Sequence, residues 1–486
     1  MAAVAMGIFL ATIDGSIVNI ALPTLERTFG TDFATVEWVV LAYLLTMATL
    51  LLGVGRLADM KGKKRIYTAG FIVFTTGSVL CGLSPTVYWL VGARVLQGVG
   101  AAMILALGMA IVTEAFPPNE RGKALGISGA MVSVGVVIGP TLGGLLLSVL
   151  SWHWIFFVNL PVGILGTLMA LRFIPSIRPS GRQRFDFRGA LTLLASLLSL
   201  LVAFSLSQRF GFTNPLVLAL FAGWAGSLLL FVRTERHADQ PMVDLRLFRN
   251  RLFSISLVTA LITFIAIAGT TILMPFYLQG VLGLNTRQAG LLLAVVPIAL
   301  GLSSPISGSL SDRLGVRPIT MVGLAVMLGG FVAVSTLSAR TSALGYALRF
   351  LPVGLGFGIF QSPNNSAIMG SAPRERLGIV SGMLALTRTL GQTTGIALLG
   401  AAWASRTFYH AGQVSSGGAT EAPSAMQVAG LHDVFVGIVV LLAAALGMAI
   451  WAFAQERQAA SRAVTQAETT RREYQGTPDP EGSDAG

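Results

Sequence analysis

Gly55-Arg56-Leu57-Ala58-Asp59-Met60-Lys61-Gly62 and Gly308-Ser309-Leu310-Ser311-Asp312-Arg313-Leu314-Gly315 share the pattern G-x-L-x-D-x-x-G, with their aspartates 253 residues apart. Each copy lies between two long apolar runs. Inside the second run beyond each copy stands an arginine, Arg94 in the first case and Arg349 in the second, at an offset of 255. Two offsets that nearly coincide mark an internal repeat, and the number of apolar runs between the copies decides how the two halves are related.

A helix needs roughly 20 apolar residues to cross a hydrocarbon core of about 30 Å. Runs of that length are expected at 3–25, 37–57, 66–84, 87–114, 123–150, 155–173, 188–208, 215–234, 252–280, 286–310, 318–338, 343–370, 377–404 and 434–455. Eight of these spans separate the two loops. An even number returns the chain to the same side, so the halves are parallel repeats. The expectation is an all-α membrane protein of 14 transmembrane helices. A six-helix bundle occupies 1–174, a linker with two additional helices 175–251, and a second six-helix bundle 252–455. The polar tail 456–486 is of a composition that buries no core and is expected to be disordered.

Composition agrees with this class. The chain is 54% hydrophobic and 11% charged, against about a quarter charged in soluble domains. The 56 glycines suit close helix packing in lipid. A net charge of +12 would suit nucleic acid only with the cations gathered on a soluble face, and here they stand in short gaps between apolar runs. Their distribution sets the orientation. Of 33 Lys and Arg residues, 25 fall in gaps on the N-terminal side, 5 on the other (Arg27, Arg209, Arg287, Arg340, Arg406) and 3 within spans. By the positive-inside bias both termini are cytoplasmic, in an inner membrane. The first run carries Asp14 and lacks both a basic leader and a cleavage site, so it reads as a retained span and not a signal peptide. Cys81 is a single cysteine in an apolar run and reads as a buried hydrophobe. There is no G-x-x-x-x-G-K-[ST], no H-E-x-x-H and no soluble domain. The reading is therefore not an enzyme, with no cofactor and no metal, and energy must come from an ion gradient.

Four stretches, with the loop, resemble one branch of a known family. Helix 1 holds Asp14-Gly15-Ser16-Ile17-Val18-Asn19-Ile20-Ala21-Leu22-Pro23. Helix 4 holds Arg94-Val95-Leu96-Gln97-Gly98-Val99-Gly100. Helix 5 holds Gly135-Val136-Val137-Ile138-Gly139-Pro140-Thr141-Leu142-Gly143-Gly144, and Trp152-His153-Trp154-Ile155-Phe156-Phe157-Val158-Asn159-Leu160-Pro161 follows. Together these are similar to the fourteen-span drug:proton antiporter branch of the major facilitator superfamily. Met60 departs from the loop's usual basic residue, partly offset by Lys61, and His153 stands where an arginine is common. The resemblance implies alternating access, export of lipophilic and often cationic compounds, and exchange for protons. Two other readings stand beside it: a carrier of a specific metabolite, and a sensor or lipid-handling protein that binds without pumping. The implied partners are a lipophilic small molecule, protons and membrane lipids, with no nucleic acid. The sequence carries no signature for or against a periplasmic adaptor or outer-membrane partner.

Residue roles follow partly from physics and partly from that resemblance. Asp14 lies about 16 Å into its helix, near the membrane midplane. An ionised carboxylate is expensive there, and it can hold a proton or a cation but not both comfortably. A structural aspartate capped by Ser, Asn or an arginine is the alternative. Arg94 is expected to tune Asp14, and in the resemblance it takes part in proton transfer; snorkelling or pairing with a backbone carbonyl is the other reading. Gly135, Gly139 and Gly143 recur every four residues and form a stripe for close helix approach, with a kink at Gly139-Pro140 and Gly144 beyond. Their role in sealing an antiporter core rests on the resemblance. Gly55, Asp59, Gly62, Lys63, Lys64, Glu114, Arg121 and Asp312 read as a conformational latch made in one state and broken in the other; plain positive-inside anchoring explains the basic members equally. Candidate substrate contacts are Asn19, Gln97, Tyr277, Arg349, Phe357, Gln361 and Arg388. Arg349 and Arg388 read as a buried positive pair, contacting either substrate or a helix terminus.

Overall fold

The computed structural model describes residues 1–115, 118–175, 186–238, 245–371, 377–412 and 418–475. Helices fall on each of the expected spans. We number them α1 (Ala2–Phe29), α2 (Trp38–Lys61), α3 (Lys63–Gly82), α4 (Val87–Ala115), α5 (Pro118–Val149), α6 (Asn159–Phe173) and α7 (Phe187–Phe210). There follow α8 (Pro215–His237), α9 (Arg251–Phe276), α10 (Thr286–Leu314, with a break at Ala294), α11 (Val316–Val334), α12 (Ala343–Gly370), α13 (Leu377–Ala411) and α14 (Ser424–Gln475). Among the described residues eleven helices are long and apolar enough to cross a membrane, and α5 is apolar over the shorter stretch Val134–Val149. The chain is a multi-pass membrane protein.

Local chemistry sets many of the helix ends. Gly30 closes α1 in the left-handed conformation, its N–H reaching Arg27 and Glu26 carbonyls. Side chains accept from the free N–H groups that open α7 (Asp186 from Gly189), α8 (Asn214 from Leu216), α9 (Asn250 from Leu252) and α12 (Ser342 from Gly345). Asn285 and Gln288 form a reciprocal capping box at α10.

The tail departs from expectation. Residues 456–486 read as disordered, yet α14 continues to Gln475. That stretch, ERQAASRAVTQAETTRREYQ, is rich in Ala, Gln, Glu and Arg, which favour helix once a preceding turn has nucleated it. Residues 476–486 lie outside the described part.

The repeat has a structural counterpart. Gly62 and Gly315 occupy the last position of the two loop motifs, and both have positive φ, 95° and 87°. Each makes the tight turn between consecutive helices, a conformation glycine adopts without a Cβ clash. The next helices cross alike. In the first half α3 meets α4 where Gly70 and Gly100 put backbone against backbone, and in the second α11 meets α12 at Gly323 and Gly356.

Two groups of helices pack internally, α1 to α6 and α9 to α14. The contacts that join them gather at the end where α1 closes and α2 begins, which we call the outer end. There Phe33 sets its ring against Phe276 and Trp403, with centroids 4.9 and 5.3 Å apart. Gln279 Nε2 donates to the Ile20 carbonyl at 3.1 Å, and Thr420 Oγ1 donates to Glu26 Oε1 at 2.7 Å. On the flank, α5 meets α10 where the backbones of Gly144 and Gly290 touch. Of the additional helices, α7 packs on α2 and α13, whereas α8 lies on the periphery with Leu216, Leu218, Leu229 and Leu230 exposed.

Candidate functional site

Asp14 is not a lone acid. It is fully buried inside the first helix group, and every donor around it is in reach. Arg94 NH1 donates to Oδ2 at 2.6 Å, while Gln97 Nε2 and Asn159 Nδ2 each donate to Oδ1 at 2.8 Å. Arg94 is itself tied down: NH1 also donates to Gln97 Oε1 at 2.7 Å, Nε donates to the Val39 carbonyl at 2.8 Å, and its Cζ lies 4.1 Å from the Tyr43 ring centroid. Ser78 Oγ accepts from Gln97 and Asn159 and donates to the Phe156 carbonyl at 2.9 Å. Five helices contribute: α1, α2, α3, α4 and α6. Two loose ends remain, because Arg94 NH2 and Asn159 Oδ1 are buried without a hydrogen-bond partner among the described residues.

The Asp14 carboxyl oxygens thus accept from one guanidinium and two amide donors. Loading a proton onto Asp14 must weaken the grip of Arg94, whose charge would then be buried without a counter-ion.

The opposite face of α1 borders the other half. A cavity of about 110 Å³ lies between α1, α5, α9, α10 and α12. Ser16 and Asn19 line it on one side, and Thr270, Thr271, Met274, Tyr346, Phe350 and Phe357 on the other; no charged side chain lines it. Phe264 meets Phe357 edge to face at 5.7 Å. Asn19 Nδ2 donates to its own helix at Gly15, leaving Oδ1 buried without a partner among the described residues. Asp14 and Asn19 thus place two different chemistries on two faces of one helix.

The glycine stripe of α5 lies against this same helix. A Cβ on Gly135 would meet Thr12, one on Gly139 would meet Ser16, and one on Gly143 would meet Ile17 and Ile20. Ser16 Oγ donates to the Gly135 carbonyl at 3.1 Å. Pro140 and Gly144 turn away from α1 towards Gly290 of α10.

The other candidate residues lie elsewhere in the fold. Gln97 belongs to the Asp14 network and not to the cavity, because its amide is spent on Asp14, Ser78 and Arg94. Tyr277 points to the outer end, donating to the Ser338 carbonyl at 2.7 Å. Arg349 is no buried partner of Arg388: it sits near the start of α12, half-exposed, donating to Thr336 Oγ1 at 2.9 Å and to the Gly345 carbonyl at 3.0 Å. Arg388 lies on α13, partly buried, with no hydrogen bond or ion pair to another described residue, and it does not line the cavity. Gln361 lies a turn beyond Phe357 and does not line it either. In the loop set, Gly62 makes the turn, Lys63 and Lys64 open α3 and Asp312 is exposed. The side chains of Asp59, Glu114 and Arg121 lie outside the described residues.

Residues that sequence reasoning passed over include Ser78, Asn159 and Gln208; Glu37 was named only as a substitute acid for Asp14. Asn159 lay within a quoted motif, which was its signal; Ser78 had none. At the outer end, a cleft of about 830 Å³ is lined by Glu26, Arg27, Asp32, Arg209 and Glu421 among others. Arg209 holds Asp32 through two hydrogen bonds of 3.0 Å and also reaches Thr35. Burial pushes the Asp32 carboxyl up, but hydrogen bonds from Arg209 and Thr35 and the charge of Arg209 outweigh it and hold the group below its ordinary range.

A repeated helical plan, a charged network sealed in one half and an uncharged cavity between halves fit a membrane carrier. The chain belongs to the Major Facilitator Superfamily, whose family description matches residues 4–396. Among curated relatives it is 35% identical over 410 residues to the riboflavin transporter RibZ of Clostridioides difficile, covering 84% of this chain and 88% of that one. It is also 35% identical over 412 residues to the multidrug resistance protein Stp of Mycobacterium tuberculosis, covering 83% and 76%. Among solved structures, a bacterial homologue of the human lysosomal transporter Spinster superposes with a TM-score of 0.64 at 19% identity, over 93% of this chain and 95% of that one.

Proposed function

We propose that this protein exports lipophilic small molecules across a bacterial inner membrane in exchange for protons, by alternating access between two six-helix bundles at 1–174 and 252–455. In this reading the segment 175–251 carries an inserted pair of helices, both termini are cytoplasmic and the outer end faces the periplasm. The observation that carries it is the division of labour on α1. Asp14 sits in a polar network that accepts a proton only if Arg94 lets go, and the other face of the same helix lines the cavity between the halves. Movement of α1 therefore links protonation to the cavity's shape.

The cavity walls support a lipophilic cargo with aromatic surface and a hydrogen-bond donor for Asn19 Oδ1. They offer no acid to a cation, so the cationic part of the expectation rests on family resemblance alone. A flavin-like substrate is the second reading, favoured by the extent of the match to RibZ and by Asn19, Thr270 and Thr271 beside three aromatic rings. Cells loaded with ethidium or with riboflavin, with and without a protonophore, decide between them. Export predicts gradient-dependent loss of one compound; a protein that only binds predicts no gradient-dependent loss of either.

A further inference from the structure

Glu37 precedes α2 and is fully buried at the outer end. Its Oε1 accepts a hydrogen bond of 2.8 Å from Gln208 Nε2 of α7. Its Oε2 is buried with no hydrogen-bond partner among the described residues, pressed against α13 so closely that a Cβ on Gly400 would lie 2.8 Å from it. Three elements of different origin meet here: a helix of the first half, one of the inserted pair and one of the second half. The neighbouring Trp38 ties the first two together, its Nε1 donating to Ser205 Oγ at 3.0 Å.

The charges nearby do not serve Glu37. Asp32, on the turn before it, and Arg209, next to Gln208, are bound to each other. On α13 the residues around Gly400 are Ala397, Ala401, Trp403 and Ala404, none of which titrates. Farther along that helix Arg406 and His410 are both taken by Asp433. Among the described residues an ionised Glu37 would thus have one amide donor and no counter-ion, which is a poor site for a carboxylate and a suitable one for a carboxylic acid. Gln208, Phe33 and Ala404, which surround this acid or neighbour Gly400, also line the outer cleft.

We propose that Glu37 is a second proton-binding site, separate from Asp14. It holds its proton while the outer end is closed and releases it to water in the cleft when α13 withdraws. The O–H bond breaks, the proton passes to water and the carboxylate remains, now hydrated and no longer facing a glycine backbone. The inserted pair gains a role in this scheme, since α7 supplies the amide that orients the acid. The proposal does not depend on export being proton-driven, because it concerns the closed state without cargo.

Two measurements on the full chain in lipid nanodiscs, without substrate, test it. Infrared difference spectra at neutral pH should show the C=O stretch of a protonated carboxylic acid that E37Q removes and Asp14→Asn leaves in place; a spectrum unchanged by E37Q overturns the proposal. For the second, Ala404→Cys reports opening through its reaction with a membrane-impermeant maleimide, since the native Cys81 is buried. Over about pH 5 to pH 9, labelling should rise with pH in the otherwise wild-type chain and stay flat at its low-pH rate with E37Q. A pH profile that E37Q leaves intact, or a flat profile in its absence, overturns the proposal. Gln208→Met keeps the acid but removes the donor that favours its ionised form, so the labelling midpoint should move to higher pH, and an unmoved midpoint counts against the site.

Discussion

Replacing Asp14 with Asn removes one charge and leaves the rest of the network in place, which makes it the sharpest test of that network's energetics. Asp14 and Arg94 are both completely buried. After the change the guanidinium keeps its bonds to Val39 and Gln97 but loses its counter-ion, and NH2 is already without a partner. Breaking a buried pair by removing one member costs about 3–5 kcal/mol, because an uncompensated charge remains. Removing both charges is often close to neutral. Asp14→Asn should therefore lower the unfolding midpoint by several degrees, and the double variant Asp14→Asn with Arg94→Met should recover at least half of the loss. Unfolding of a membrane protein this large is read as a rate-dependent midpoint, so all variants are scanned at one heating rate in one detergent. An Asp14→Asn protein as stable as the parent would refute the reasoning, as would a double variant less stable than the single one.

Further outcomes follow from other parts of the molecule. Gly139→Leu should cost about 1–3 kcal/mol through overpacking against Ser16 and Ile17, whereas Gly55→Ala, with nothing near its Cβ, should leave the thermal midpoint unchanged. Asn19→Ala and Phe357→Ala should raise the KM for exported dye several-fold, while Arg349→Gln and Tyr277→Phe, which lie away from the cavity, should leave it near the parent value in vesicle uptake. The Asp32–Arg209 pair is half in water and contributes about 0.2–1 kcal/mol. Because the folded Asp32 titrates below its unfolded value, that contribution is complete above the ordinary carboxylate range and disappears as pH falls through the depressed value. Stability of Asp32→Asn against the parent, followed from neutral to acid pH, should show a gap that closes on acidification.

How much of this was legible without coordinates depends on whether a feature is written along the chain or across it. Span positions were legible because apolar length is a local property, and the repeat because Gly62 and Gly315 recur in one motif. The proximity of Arg94 to Asp14 was anticipated from depth alone. Its completeness was not: Gln97, Ser78 and Asn159 are ordinary polar residues in apolar helices, and only the packing of five helices turns them towards one carboxylate. Equivalent positions in a repeat share depth but not neighbours: Thr336 lies beside Arg349, and among the described residues no acid pairs with it. Glu37 and Gln208 stood near predicted span ends, where polar residues are expected, and their burial comes from α13, far along the chain. The helical continuation to Gln475 was hidden because composition was read for its inability to build a core, while helix propensity needs none.

The central claim is that proton binding at Asp14 is obligatorily tied to cargo movement. Proteoliposomes holding the purified protein, with one pH unit imposed across the membrane, test it directly, since that gradient is worth about 1.4 kcal/mol or a tenfold accumulation per proton. The account predicts that the parent accumulates dye against its gradient, and that Asp14→Asn loses this while still exchanging dye for dye at equal pH. Full accumulation by Asp14→Asn under the same gradient, or equal accumulation by the parent with no gradient at all, would contradict it.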